Sequence, residues 1–361
     1  MSRRPSKAKG ALRVARFIGI RTVSVAISLI IAVYLTIFIA NIGGHIDEIM
    51  KSEITLRVYE RLRNDPTWRV LPAEERERIA QAEIQRELEL RGLTQPFIVR
   101  SFMYLRDALS LNLGRALYIT STGGSKRVWD IILERLPATV LLFTTANVVI
   151  FFAEIFIGLT ASRKYGSMLD KAIVGMAWMS AMPGWFYGIF LILIFASWLR
   201  ILPYGGMVDA PAPEDPFEYA LSVLKHMILP LLSWLIAYIP IGAYSRRTFF
   251  LLFSMEDYVD YARARGVPPR IIERRYILRP TLPPIITGFV LTLIASWMGA
   301  MVTETIFSWP GLGTLLREAI GMNDAPVIIG VITIYAYLLA ISVIVLDIVY
   351  AIVDPRIRVG G

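Results

Sequence analysis

The chain has 361 residues, 55% of them hydrophobic, and a net charge of +9. That apolar share exceeds the roughly 45–50% of ordinary soluble domains. There is no cysteine and there are two histidines, His45 and His226. This excludes disulfides, thiol catalysis and thiolate metal sites, and it argues against a histidine-built metal centre.

The hydrophobic excess is clustered into six runs: 17–42, 136–161, 172–199, 227–245, 284–306 and 326–350. Each covers the roughly 20 residues a helix needs to cross a bilayer. The pattern predicts an all-α, polytopic membrane protein with six transmembrane helices. Its parts are a basic tail (1–16), a first span (17–42), an external helical segment (43–135), a five-span core (136–350, with a loop at 246–283) and a second tail (351–361). The first span reads as a retained anchor, because no small-residue cleavage pattern follows it.

Segment 43–135 carries 15 basic and 14 acidic residues. Helices are expected over about 46–64 and from Glu74 to the Arg91–Gly92 stop, where acidic residues open the helix and glycine ends it. The stretch LTQPFIVRSFMYLRDALSLNLGRALY places apolar residues at helical spacing and suits a helix lying along the membrane surface. Lysine and arginine sort to one side of six crossings: seven in 1–21, three in the 162–171 loop, eight in 246–280 and two in the tail. Both termini and the 246–283 loop are therefore expected at the cytoplasmic face of the cell membrane. The positive charge is read as this topology signal rather than as a nucleic-acid surface.

The stretch Glu256–Pro280, EDYVDYARARGVPPRIIERRYILRP, is punctuated. Acidic residues open a short helix and arginines close it. Gly266 stops it, and Pro268 and Pro269 pre-set a second helix. Pro280, Pro283 and Pro284 are expected to close that second helix before the fifth span. A stiff helix–turn–helix fixed to spans at both ends has the form of a lever. A basic surface helix on anionic lipid is the bland alternative, but Glu256, Asp257, Asp260 and Glu273 interleave with its arginines.

DYVDYARARGVPPRIIERRYILRPTLPPII resembles the EAA loop of binding-protein-dependent ABC importer permeases. The chain is similar in particular to the dipeptide/oligopeptide/nickel permease family. LTQPFIVRSF, ILERLPATVLLF, SAMPGWFYGIFLILIFASWLRILPYGG, HMILPLLSW, ETIFSWPGLGTLLREAI and LDIVYAIVDPRIR stand in the family's order. The resemblance implies a non-enzymatic transmembrane subunit that pairs with a second homologous permease. It also implies two cytoplasmic ATPase subunits that carry ATP and Mg, with no cofactor in this chain. An external solute-binding protein would deliver a small solute, by default a di- or oligopeptide, with nickel, opines and sugar oligomers left open by the sequence. Coupling contacts are then expected at Glu256, Asp257, Tyr258, Ala262, Arg263, Ala264 and Gly266, with support from Ile271, Ile272 and Leu278. The chain departs from the family pattern at NIGGHIDE after the first span, at Tyr276–Pro280 and in a longer segment near 45–70.

Ionisable groups inside spans are costly and mark either a path or a packing contact. Asn147, Glu154 and Glu304 are candidates for the translocation path. Interhelical hydrogen bonding stands beside that reading for Asn147 and Glu154, and a cap on the following turn stands beside it for Glu304. Asp347 is read as a hydrogen-bonding partner or a group near the inner edge. Pro183 and Gly184, in MPGW, and the PGLG at 310–313 mark backbone breaks of the kind tolerated at membrane depth, which makes Pro183 and Gly184 gate candidates. Trp178, Trp185, Trp198 and Trp297 read as interface or packing residues. No G-x-x-x-x-G-K-[ST] loop occurs, and TGGSKR at 122–127 has the wrong spacing. An ion-coupled secondary transporter is expected to show paired broken helices in inverted repeats, and none is visible. A membrane-anchored ligand sensor needs no 256–280 hairpin.

Overall fold

The computed structural model describes residues 7–41, 45–90 and 92–353, and its regular elements are helical, as expected. In chain order they are α1 (Lys7–Asn41), α2 (His45–Arg63), α3 (Pro66–Arg69), α4 (Ala73–Leu90) and α5 (Phe97–Leu109). Then come α6 (Val128–Arg163), α7 (Met168–Met176), α8 (Gly184–Leu191), α9 (Pro216–Ser254) and α10 (Asp257–Ala264). The chain continues through α11 (Pro269–Ile271), α12 (Arg279–Ala295), α13 (Met301–Ile306), α14 (Leu312–Gly321) and α15 (Ala325–Val353). Residues 1–6 and 354–361, read above as parts of the inner-face tails, lie outside the described residues.

Among the described residues five helical stretches are long and apolar enough to cross a membrane: Ile18–Ile39, Val128–Arg163, Pro216–Ser254, Pro269–Met298 and Ala325–Ile348. The run expected at 172–199 is not a straight rod. Met168–Ala181 and Gly184–Trp198 meet at 95°, so a sixth span exists only if this bent pair crosses as one. The cause is local. Met182, held extended at φ −97°, ψ 134°, precedes Pro183, whose ring disfavours a helical predecessor.

The fifth span also differs from expectation. Pro280, Pro283 and Pro284 do not close a short helix; one helix runs from Pro269 to Met298. Residues 272–278 form wider π turns just before Pro280. Widened turns relieve the press of a proline ring on the carbonyl four residues back. The hydroxyl of Thr281 donates to the carbonyls of Ile277 (3.0 Å) and Leu278 (2.8 Å), adding a local bond in this stretch. The span ends at Met298 rather than at 306, and α13 is a separate short helix beyond Gly299.

The chain divides into two compact units. The first comprises 1–25, 133–318 and 338–361. Its centre is Trp309, fully buried among Ala138, Leu142, Phe143, Val223 and Met227. The indole N–H donates to the Ala138 carbonyl at 2.8 Å, so this large side chain is buried with its polar atom satisfied. A second cluster joins Phe307 to Leu191, Ala196 and Leu229.

The second unit comprises 26–132 and 319–337. Here α2 and α4 pack through Ile54, Val58 and Ile84, with Leu93 beyond the end of α4. Helix α5 packs on α1 and α15 through Val33, Ile37, Ala108, Ile329 and Ala336. The carboxylate of Asp324, fully buried, accepts the backbone N–H groups of Leu117 (3.1 Å), Tyr118 (2.8 Å) and Ile119 (3.1 Å). It ties down a loop whose base is pinned by an Arg115–Arg127 bridge.

Candidate functional site

The hairpin of α10 and the start of the Pro269–Met298 helix has its own small core. Val259, Ala262 and Ile272 are buried there, flanked by Val267, Tyr276 and Ile277. The turn is a Schellman closure. The Gly266 N–H donates to the Arg263 carbonyl (2.9 Å) and the Val267 N–H to the Ala262 carbonyl (3.1 Å), with Gly266 at φ +73°. Glycine takes that conformation without strain and a β-branched residue does not, and the Val267–Ala262 contact completes the motif. Tyr258 stacks with Tyr276 at 6.5 Å between ring centroids. Burial, with the Glu256 carboxylate nearby, pushes the Tyr258 hydroxyl up from its ordinary range, so the phenol stays neutral.

The expected coupling residues divide into two groups. Glu256, Asp257, Tyr258, Arg263, Ala264, Gly266 and Ile271 are exposed. Ala262 and Ile272 face the hairpin core instead, and Leu278 is half-buried. Ala262 therefore supports the surface rather than forming it, whereas Ile271, expected as support, is exposed. Tyr261, not singled out from the sequence, is 73% exposed, the most exposed aromatic side chain of the hairpin. Tyrosine is neutral in helical patterning, so its periodicity did not distinguish it from the core.

Three ion pairs tie the helices around this hairpin together, one of them made by the hairpin itself. Arg247 in α9 meets Asp170 in α7 bidentately, Nε to Oδ1 at 2.6 Å and Nη2 to Oδ2 at 3.0 Å, with both side chains largely buried. The Gly166 N–H also donates to Asp170, at 2.8 Å. Arg163, the last residue of α6, pairs with Glu273 in the hairpin. Arg246 pairs with Glu154 of α6 at 3.6 Å. Sequence reasoning assigned Arg246 and Arg247 only a topological meaning, because partners across helices depend on a register that a single chain does not disclose.

Of the path candidates, Asn147 donates to the Phe143 carbonyl one turn back (2.8 Å) and is satisfied within its own helix. Glu154 lies against Gly242 of α9, whose missing side chain leaves the space the carboxylate fills. Pro183 forms the bend, and Gly184 is buried, where an added Cβ would stand 3.0 Å from the Trp234 ring. Glu304 is fully buried. It accepts the Thr139 hydroxyl (2.8 Å) and the Thr314 N–H (3.0 Å), while Thr139 in turn accepts the Leu312 N–H (2.7 Å). The carboxylate thus caps α14, which is the second of the two readings given for it. Asp347 pairs with Arg21 at 2.9 Å. His226 is a packing residue, its Nδ1 2.8 Å from the Ser222 carbonyl. Trp178 and Trp198 are exposed, and Trp297 donates to the Thr144 hydroxyl at 3.2 Å. Among the described residues no cluster of three or more His, Asp or Glu could hold a metal ion.

Residues 154–359, more than half of the chain, match the family described as binding-protein-dependent transport system inner membrane component. The chain belongs to that family. It is 32% identical over 284 residues to the di/tripeptide transport system permease protein DppB of Pseudomonas aeruginosa (strain UCBPP-PA14), covering 74% of this chain and 82% of that protein. It is 29% identical over 284 residues to the oligopeptide transport system permease protein AppB of Bacillus subtilis (strain 168), covering 78% and 87%. A chain from an inward-facing structure of the MetNI methionine ABC transporter aligns with TM-score 0.44 and 15% identity, over 65% of this chain and 98% of that one; that likeness is too distant to build on. This permease is thus the multi-pass transmembrane subunit of an ABC importer and a transport component rather than an enzyme. Family membership disfavours the secondary-transporter and sensor readings.

Proposed function

We propose that this permease carries di- or oligopeptides inward across the cell membrane as one of two homologous permease subunits. Its termini and the 256–280 hairpin lie at the cytoplasmic face. Two ATPase subunits there bind and hydrolyse ATP with Mg, and an external solute-binding protein hands over the cargo. The permease itself carries no cofactor. The peptide assignment is supported by the relatives named as di/tripeptide and oligopeptide permeases.

The observation that carries the mechanism is the continuity of the hairpin with the spans. It sits between α9, a 39-residue helix, and the 30-residue Pro269–Met298 helix, and its own core and a Schellman turn stiffen it. When the ATPases close, the exposed face around Asp257, Tyr258, Tyr261 and Ala264 moves with them. The Pro269–Met298 helix then tilts with it, because the first turns of that helix supply Ile272, Tyr276 and Ile277 to the hairpin's core. The Arg163–Glu273 and Arg247–Asp170 pairs bring α6, α7 and α9 along. Nucleotide can drive this change only if the ATPases bind the two permease states unequally.

The test is co-purification and peptide uptake with the assembled transporter. The ATPase pair is expected to travel with the intact chain and to be lost, with uptake, when 257–267 is replaced by a Gly–Ser linker. Uptake that survives this replacement refutes the mechanism.

A further inference from the structure

We propose that a cavity of about 540 Å³ in the second unit is a binding site for the head group of a phospholipid carrying both a phosphate and a primary ammonium. Its volume falls within the roughly 300–1,000 Å³ of small-molecule sites.

Its position is set by α5. That helix packs against residues 29–37 of α1 and 329–336 of α15, which lie inside the apolar stretches Ile18–Ile39 and Ala325–Ile348. The rings of Tyr34 and Phe102 stack at 5.4 Å, and Phe38 and Phe97 meet at 5.7 Å. Helix α5 is therefore held at the level of the bilayer and not in bulk water. It leaves Ile98, Val99 and Phe102 exposed, with Ile98 at 65% and Phe102 at 58%. This apolar strip is what an interfacial helix offers to acyl chains.

The cavity takes part of its lining from the same helix, at Met103, Tyr104, Arg106, Asp107 and Ala108. Its apolar lining comes from Met103 of α5 and from Ala325, Pro326 and Ile329 in the first turns of α15. Its polar lining holds both signs: Arg57, Arg106 and Arg115 with Glu89 and Asp107, of which Arg106 and Asp107 pair with each other at 3.3 Å. Arg115 pairs with no carboxylate among the described residues. A guanidinium offers paired donors that match phosphate oxygens. An ammonium supplies three donors for the two carboxylates. A choline head group has no N–H to give Glu89 or Asp107, and a glycerol head group brings no cation to them. A dissolved dipeptide is also a zwitterion, but it has no need of an acyl-facing strip or of a floor built from the end of a span.

The assembled transporter is reconstituted in vesicles of equimolar phosphatidylethanolamine and phosphatidylcholine, extracted in mild detergent, and its retained lipid measured by mass spectrometry. Phosphatidylethanolamine is expected to be enriched at least about threefold, within reach of one added charge-assisted hydrogen bond. The R106E/R115E variant is expected to lose the bound lipid. The E89Q/D107N variant keeps these positions' shape and is expected to retain lipid without head-group preference. Equal retention of the two lipids by the unmodified protein overturns the proposal. So does enrichment unchanged in both variants, and so does displacement of the retained lipid by millimolar Ala-Ala, which would mark the cavity as a peptide site.

Discussion

Replacing Gly266 by Ile tests the hairpin turn at one atom. Gly266 sits at φ +73°, and an added Cβ would meet nothing within 4 Å. The Cβ therefore meets no neighbour, and the cost is chiefly that of the backbone conformation. For a β-branched residue this is about 2–3 kcal/mol. The hairpin's own stabilisation is of similar size. Burial of Val259 and Ile272 contributes about 1.5–3 kcal/mol each, and the Tyr258–Tyr276 stack about 0.5–1.5 kcal/mol. Ordering the residues of α10 and the turn offsets much of that gain, so a loss of about 2–3 kcal/mol suffices to release α10 while the long helices stay intact. If the ATPases bind only the ordered hairpin, their apparent affinity should fall about 10- to 100-fold. The assay is a titration of purified ATPase onto permease held in nanodiscs, with Gly266→Asn alongside, since asparagine tolerates the left-handed region. Binding near the native level with Gly266→Asn and a large loss with Gly266→Ile are expected. Native affinity with the isoleucine variant, or an equal loss with the asparagine one, would refute the reasoning.

Other expectations concern the polar groups. Asp170→Leu should lower stability by about 3–5 kcal/mol by stranding Arg247, and the double change with Arg247→Leu should recover most of it, as a thermal melt in detergent would show. Asp324→Ala leaves the N–H groups of three consecutive residues without their acceptor, two of them in buried residues; it should cost about 3 kcal/mol or more and open the 111–127 loop to limited proteolysis. Gly242→Val drives a side chain into the place of Glu154 and should destabilise by about 1–3 kcal/mol, while Glu154→Ala in the same chain relieves much of the loss; additive losses would show that the two do not share space. Glu304→Gln turns an acceptor into a donor facing the Thr314 N–H or the Thr139 hydroxyl and should cost about 1–3 kcal/mol, read as a lower midpoint of unfolding.

The membrane spans were legible because roughly 20 apolar residues in a row have one cheap solution in lipid. The hairpin was legible because its signals are local: Gly266 and the Pro268–Pro269 pair fix the backbone wherever they stand. What misled was also proline. Pro280, Pro283 and Pro284 read as a stop in water, yet in the structure the helix carries straight through them after its π turns. MPGW marked the break at Met182–Pro183 but not its 95° angle, which depends on how α8 packs on α9 and α13. The partners of Glu154, Asp170 and Glu273 were not legible at all. Each lies on another helix at least 77 positions away, and nothing local sets that register.

The most direct test of the lever uses the absence of native cysteine, which lets paired spin labels be placed without background. One pair joins Arg265 to Ile286, both exposed and both on the proposed rigid body; a second joins Arg265 to the exposed Phe190 of α8. Between nucleotide-free and ATP-bound transporter, the first distance should hold constant while the second shifts. A first distance that changes while the second stays fixed would mean that the hairpin swings on its own and drives nothing.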